Sequence, residues 1–209
     1  MTPLLLSPAE ARVIAALTEK SIATPQYYPM TVNALMLASN QKSSRSPVMQ
    51  LREGEVGAAL LDLQDKGLTR RDDGGSRVPK WRQNFQHHLL LAPPAFGVLV
   101  TLVLRGPQTP SELRSNAAGL GGPADADGVA AVLKDFADRA QPLVVLLPRG
   151  HGQKEARHAH TLSGPPELPA AAPEPPAPRA SLEERIEERL AALEERVSAL
   201  EAAAKGPSS

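Results

Sequence analysis

The chain has 209 residues, of which 42% are hydrophobic and 3% are aromatic. Its 23 Lys and Arg residues balance 23 Asp and Glu residues, so the overall charge does not mark a nucleic-acid or membrane binder. The absence of cysteine excludes disulfides, thiolate metal sites and cysteine nucleophiles. No apolar run has the length of a signal peptide core or a membrane span, and we therefore expect a cytoplasmic protein.

The first 88 residues carry the pattern of three helices closed by a hairpin. Residues 7–10 combine an N-cap serine, a proline and a capping-box glutamate, which predicts that a helix begins there. A second short helix is predicted after the polar break at 24–29, and a third where apolar residues recur at helical spacing over 56–63. The Asp-Gly step within 72–75 predicts the turn of a hairpin. This order is that of a winged helix.

The same pattern recurs further along the chain. Val129, Val132, Leu133 and Phe136 each lie 73 residues after an apolar residue of the third helix. A second capping box begins at Thr109, and strands are predicted over 143–147 and 156–162. The segment 94–105 is predicted to be the first helix of this module. Because it is apolar on nearly all sides from 96 to 104, we expect it to pack against its own module and a neighbouring surface.

The end of the chain has a different composition. Residues 165–179 are mostly proline, alanine and glutamate, which predicts an extended tether. A helix with a heptad pattern follows, and it is expected to form a dimeric coiled coil through five apolar residues: Ile186, Leu190, Leu193, Val197 and Leu200. In a parallel pair, Arg189 would face Glu194 of the partner copy and Arg196 would face Glu201.

We therefore predict an α+β, mostly helical protein with two tandem winged-helix modules. The first module occupies residues 1–88 and the second 89–164. A Pro/Ala-rich linker occupies 165–180 and the heptad helix 181–205.

Several motifs together resemble the YceH-like family of bacterial proteins. The resemblance is carried by Thr24-Pro25-Gln26-Tyr27-Tyr28-Pro29, Leu35, Asn40-Gln41-Lys42-Ser43, Arg45 and Pro47-Val48-Met49. Similar stretches follow at Gly75-Ser76-Arg77-Val78, Arg105-Gly106-Pro107-Gln108-Thr109-Pro110 and Glu155-Ala156-Arg157. It covers residues 6–164 and implies tandem winged helices, but it implies no catalytic or binding role for any residue.

A group of basic residues in the first module is the candidate contact for a DNA backbone. Winged helices usually read DNA through the third helix, but both third helices here carry more acidic than basic residues and would repel phosphate. Positive charge lies instead before the third helix and in the hairpin, where it would position DNA without reading its sequence. An ordinary solvated hairpin is the alternative. The basic group consists of Lys42, Arg45, Arg70, Arg71, Arg77, Lys80 and Arg82.

A second candidate surface contains the densest aromatic site of the chain. Tyr27 and Tyr28 either cap the core of the first module or form a recognition face with the 41–47 loop. In the second case Asn40 and Gln41 would supply hydrogen bonds to a partner.

The three histidines in or beside the second hairpin are His151, His158 and His160. Alternation places His158 and His160 on one strand face, where titrating surface histidines are favoured over metal ligands because no carboxylate or thiolate set accompanies them. No metal, cofactor, small-molecule substrate or membrane contact is expected, and no enzyme motif is present. The first hypothesis is a DNA-associated regulator. The alternative is a protein-interaction adaptor whose acidic third helices contact a partner protein.

Overall fold

The computed structural model describes residues 4–72, 74, 78–149, 155–166 and 182–204. The chain forms two compact units, Met1–Leu168 and Pro169–Ser209. It is α+β and mostly helical, and this part of the predicted fold class is confirmed. Among the described helices, none is both long enough and apolar enough to cross a membrane.

The first half of the larger unit contains three α-helices and a three-stranded antiparallel sheet in the order β1-β3-β2. Its elements are α1 (Pro8–Ala23), a 3-10 turn (Pro25–Tyr27), β1 (Met30–Thr31), α2 (Val32–Ser39), α3 (Glu53–Asp65), β2 (Thr69–Asp72) and β3 (Lys80–Gln83). The predicted capping box is confirmed, because the Ser7 hydroxyl accepts from the Glu10 amide while the Glu10 carboxylate accepts from the Ser7 amide.

The second half repeats much of this order. Its elements are α4 (Phe85–Leu89), α5 (Pro93–Arg105), α6 (Pro110–Ala117), a 3-10 turn (Ala118–Leu120), α7 (Ala126–Asp138), β4 (Val144–Leu147) and β5 (Arg157–His160). β4 and β5 are antiparallel, and Gln108 forms an isolated bridge to His158 at the position that β1 occupies in the first sheet. Helices α3 and α7 both have 13 residues, so the predicted repeat of the third helix is present in the structure.

A single hydrophobic core runs through both halves of the larger unit. Every residue of α1 from Glu10 to Thr18 is buried, because this helix packs against α2 and α3 on one side and against α5 on the other. Every residue of α5 from Phe96 to Leu104 is also buried, since this helix contacts α1, α6 and α7. The expectation that the apolar helix packs beyond its own module is therefore confirmed.

The connector between the halves belongs to this core. It contains α4, whose Phe85 is fully buried. The Phe85 ring meets the Phe96 ring edge to face, with 5.4 Å between their centroids. A helix of five residues is too short to show the apolar periodicity that predicts longer helices.

The long loop between α2 and α3, residues 40–52, is held by two buried arginines. Arg45 donates to both carboxylate oxygens of Glu19 at 3.2 and 2.6 Å, and to the carbonyl of Ala38 at the end of α2. Arg12 donates to the carbonyls of Ser39 and Pro47 at 3.2 and 2.8 Å. The guanidinium groups thus satisfy carbonyls that the end of a helix leaves without a partner. We call residues 40–52 the anchored loop.

The smaller unit contains α8 (Leu182–Ala204), in the position where the heptad helix was predicted. Residues 167–180 of the predicted linker, and residues 181 and 205 of the predicted helix, lie outside the described residues.

Replacing Arg45 with Met should lower the free energy of unfolding by about 3 kcal/mol, because the partly buried Glu19 carboxylate would keep Lys20 as its one ion-pair partner among the described residues. Urea denaturation measures this change. The matched control is Lys42→Met in the same loop, whose exposed side chain predicts a change within about 0.5 kcal/mol. Equal stabilities of the two variants would show that Arg45 does not anchor the loop.

Candidate functional site

The structure divides the predicted basic group into exposed and buried members. The prediction that Arg45 presents its charge to DNA is wrong, because its side chain is fully buried and donates to the Glu19 carboxylate and the Ala38 carbonyl. Lys42, three residues earlier, is exposed. Arg77 lies outside the described residues.

Three basic residues share the outer face of the first sheet. Trp81 is buried against the core, so its neighbours Lys80 and Arg82 project to the opposite face of β3. Arg70 lies directly opposite Arg82 in the antiparallel register and therefore shares that face. Asp72 lies opposite Lys80 and is the acidic neighbour of the group in this register. We call Arg70, Lys80 and Arg82 the basic face.

Arg71 lies on the other side of the sheet. It is opposite the buried Trp81 in the register, although its own side chain is exposed. It therefore does not extend the basic face.

The basic face is fixed by contacts with an aromatic ring and a carboxylate. The guanidinium carbon of Arg82 lies 5.3 Å from the centroid of the Tyr28 ring, within the range of a cation–π contact. The Nε atom of Arg82 donates to the Asp72 carboxylate, and this hydrogen bond lowers the pKa of Asp72. The Tyr28 hydroxyl accepts from the backbone amide of Gln83 at 2.7 Å. These contacts fix the position of the Arg82 guanidinium group.

A groove with a volume of about 580 Å³ adjoins the basic face. It runs between the 3-10 turn, α2 and β3, and we call it the tyrosine groove. Its wall contains polar, cationic and apolar side chains, including Lys20, Tyr27, Tyr28, Leu37, Gln41 and Lys80. Lys80 belongs to both the groove and the basic face, and Tyr28 lines the groove while its ring contacts Arg82 of the basic face. The groove and the basic face therefore form one continuous surface.

The two tyrosines have different roles. Tyr28 is partly buried against the core and bonded to β3, as in the structural interpretation of this motif. Tyr27 is 72% exposed at the groove and is open to a partner. The structure therefore places Tyr27 and Gln41 together, as expected for a recognition face.

Asn40 does not join that face. Its side chain donates to the Leu51 carbonyl and accepts from the Leu51 amide, both at 2.8 Å. Its amide group was expected to be available to a partner, and this is wrong because both of its ends are used to close the anchored loop. Gln41 lines the groove while its side-chain oxygen accepts from Arg45 at 3.1 Å.

Several groove residues were not singled out from the sequence, among them Lys20 and Leu37. Lys20 comes from the last turn of α1 and Leu37 from the exposed side of α2. Neither belongs to a motif, and an exposed leucine or lysine on a helix is ordinary. Only the packing of α1 and α2 beside β3 brings them to the tyrosines.

The third helices present carboxylates to the surface. In α3 the residues Glu53, Glu55, Asp62 and Asp65 are exposed, and in α7 the exposed residues include Asp127, Asp135 and Asp138. Lys134 and Arg139 are paired with Asp138 and Asp135 along α7. The acidic character predicted for both helices is therefore present at the surface.

The second hairpin buries its histidines more than expected. His158 and His160 lie two residues apart on β5, opposite Leu146 and Val144. Burial lowers the pKa of both side chains, to about 4 for His160. For His158 and His160 this partial burial contradicts the expectation of titrating surface histidines, and His151 lies outside the described residues. Within the part of the chain that the structure describes, no three His, Asp or Glu side chains cluster to hold a metal ion.

Comparison with known proteins identifies the family. The model of the family described as "Protein of unknown function, DUF480" matches residues 6–153, and the chain belongs to this family. The matched segment includes the basic face and the tyrosine groove.

Relatives resemble most of the chain. A UPF0502 protein of Geobacter sulfurreducens is 44% identical over 198 residues, which cover 94% of this chain and 90% of the relative. A UPF0502 protein of Acidovorax is 43% identical over 203 residues, with the same coverage of both chains. A UPF0502 protein of Koribacter versatilis is 45% identical over 159 residues, which cover 76% of this chain and 74% of the relative.

The burial of His160 predicts a pH-dependent stability. In the unfolded chain this side chain binds a proton below about pH 6.5, but in the folded protein only below about pH 4. Its contribution to stability is therefore lost as the pH falls from 6.5 towards 4. Between pH 7 and pH 5 the loss should be about 2 kcal/mol.

His160→Gln should remove this part of the pH dependence. Chemical denaturation at pH 7 and pH 5 measures the difference in unfolding free energy for each protein. The exposed His88→Gln is the matched control and should behave as the wild type. If His160→Gln loses as much stability as the wild type on acidification, His160 does not cause it.

Proposed function

We propose that this protein is a non-enzymatic, tandem winged-helix binding protein that associates with duplex DNA through the basic face of its first module, in the bacterial cytoplasm. The architecture is supported by the repeated order of helices and strands and by the equal lengths of α3 and α7. The resemblance to the YceH-like family supports the same architecture.

The observation that carries the proposal is the pair of arginines on the outer face of the first sheet. Like charges directly opposite each other on neighbouring strands are unfavourable. Arg70 and Arg82 are in this position, with Lys80 on the same face, and only Arg82 is bound by Asp72. A phosphate between the two strands would relieve their repulsion, and guanidinium groups suit phosphate oxygens.

The acidic third helices limit what such a complex recognises. Carboxylates on α3 would lie unfavourably close to phosphates if this helix entered the major groove. The basic face would then hold the backbone, and backbone contacts position a protein without specifying a sequence. Weak, salt-sensitive and sequence-tolerant binding is the expected behaviour.

A second candidate function is a protein-interaction adaptor. It is favoured by the exposed carboxylates of α3, among which Leu61 is also exposed. An exposed apolar or aromatic side chain within a polar rim is typical of a protein interface. The adaptor would use α3 and α7, whereas DNA would use the basic face. Charge changes on the basic face therefore separate the two functions.

Substitution of the basic face should weaken DNA binding in a defined way. The variant Arg70→Gln/Lys80→Gln removes two phosphate contacts, so the logarithmic salt slope should flatten by about 0.9 for each contact. At low salt the affinity should fall roughly tenfold or more, equally for scrambled and genomic duplexes. Fluorescence anisotropy with labelled duplexes over a salt series measures both quantities.

The matched control is Arg114→Gln/Lys134→Gln, which removes the same charge from exposed positions of α6 and α7. Its salt slope should equal that of the wild type. Absence of wild-type binding at low salt would overturn the DNA proposal in favour of the adaptor. A preference above about tenfold for one sequence would show that base contacts contribute after all.

A further inference from the structure

The C-terminal helix carries an exposed apolar stripe along its length. The side chains of its heptad core are 49–69% exposed: Ile186, Leu190, Leu193, Val197 and Leu200. The neighbouring side chains of α8 that the structure describes are also exposed. Five large apolar side chains on one stripe are unfavourable in water, so the stripe requires a partner.

We infer that the occupant of this stripe is the α8 helix of a second copy, aligned in parallel as a two-stranded coiled coil. The apolar residues follow one another at alternating intervals of four and three, which is the 3.5-residue period of a coiled coil and not the 3.6-residue period of a surface helix. Leu190 and Val197 occupy the a positions, while Ile186, Leu193 and Leu200 occupy the d positions.

The charges beside the stripe select both the partner and the direction. Arg189 and Arg196 occupy g positions, and Glu187 and Glu194 occupy e positions. In a parallel pair each g residue faces the e residue of the next heptad of the partner, so Arg189 of one copy meets Glu194 of the other. An antiparallel pair would place g beside g and e beside e, which brings arginine to arginine and glutamate to glutamate.

The size of the stripe fits a second identical helix. A helix of 23 residues is about 34 Å long and presents little more than three heptads. An interface of this length supports a concentration-dependent dimer and not a permanent one. The dimer does not depend on what the larger unit binds, since α8 belongs to a separate unit of the chain.

Multi-angle light scattering of the full chain in the absence of DNA tests the dimer. The wild-type mass should rise with concentration from one chain to two, and no higher. Leu193→Asp introduces a charge at a d position and should keep the protein monomeric at concentrations where the wild type is dimeric. Ala192→Asp is the matched control, because it places the same charge one residue away on the outer side of the helix, and it should dimerise as the wild type does.

Charge exchange tests the direction. Arg189→Glu should weaken a parallel dimer about fivefold, because two attractive pairs become repulsive. The double variant Arg189→Glu/Glu194→Arg should recover the wild-type affinity. Because Glu and Arg both favour a helix, a loss of helix would not be mistaken for weaker pairing. In an antiparallel dimer Arg189→Glu would instead strengthen association by removing an arginine pair.

A monomeric wild type at every concentration, or a Leu193→Asp variant that still dimerises, would overturn the inference of a coiled-coil dimer. A tighter dimer of Arg189→Glu would overturn the parallel direction. None of these outcomes bears on DNA binding by the basic face, which is measured separately.

Discussion

The packing of α1 against α5 is the contact on which the larger unit depends. α1 begins the first half and α5 follows α4 in the second, and each is buried on all sides over most of its length. Over these stretches neither helix has a solvent-exposed face. Separating the two halves would therefore expose the apolar surface that α1 and α5 bury against each other. The two halves therefore share one core. Phe85 reinforces this core from the connector, where it meets Phe96.

Buried arginines give the anchored loop a fixed conformation beside that core. Arg12 and Arg45 bind carbonyls at the end of α2 and in the loop. Although burial acts to raise it, the pKa of Glu19 is held below its usual value by the bonds from Arg45. A charged group removed from water requires hydrogen bonds and an oppositely charged partner of this kind. Arg12 and Arg45 thus fix the conformation of the anchored loop, while Lys42 of the same loop and Tyr27 are exposed.

Polar side chains also fix the fold in the second half. Gln108 is buried and bonds to the backbone of Thr101 and Gly106, while its own backbone pairs with His158. Arg157 forms a double contact with Glu112, the capping-box residue of α6, at 2.7 and 2.8 Å. These contacts hold β5 against the junction of α5 and α6. In the first sheet Arg70 is exposed, and Lys80 and Arg82 are partly exposed on the same face. The proposed function rests on this basic face and the adjoining groove.

Local chemistry in the chain was sufficient to predict both capping boxes, the repeated third helix, the apolar α5 and the position of α8, because each depends on residues a few positions apart. The roles of Arg45, Asn40 and His160 were misjudged. Arg45 finds its carboxylate 26 residues away and Asn40 its backbone partner 11 residues away, while His160 is buried by strand packing. The groove likewise joins Lys20 to Lys80 only after α1, α2 and β3 have packed. Short-range hydrogen bonds and periodicity depend on residues that are close in the sequence. The environment of a charged side chain, by contrast, is set by distant segments that meet on folding.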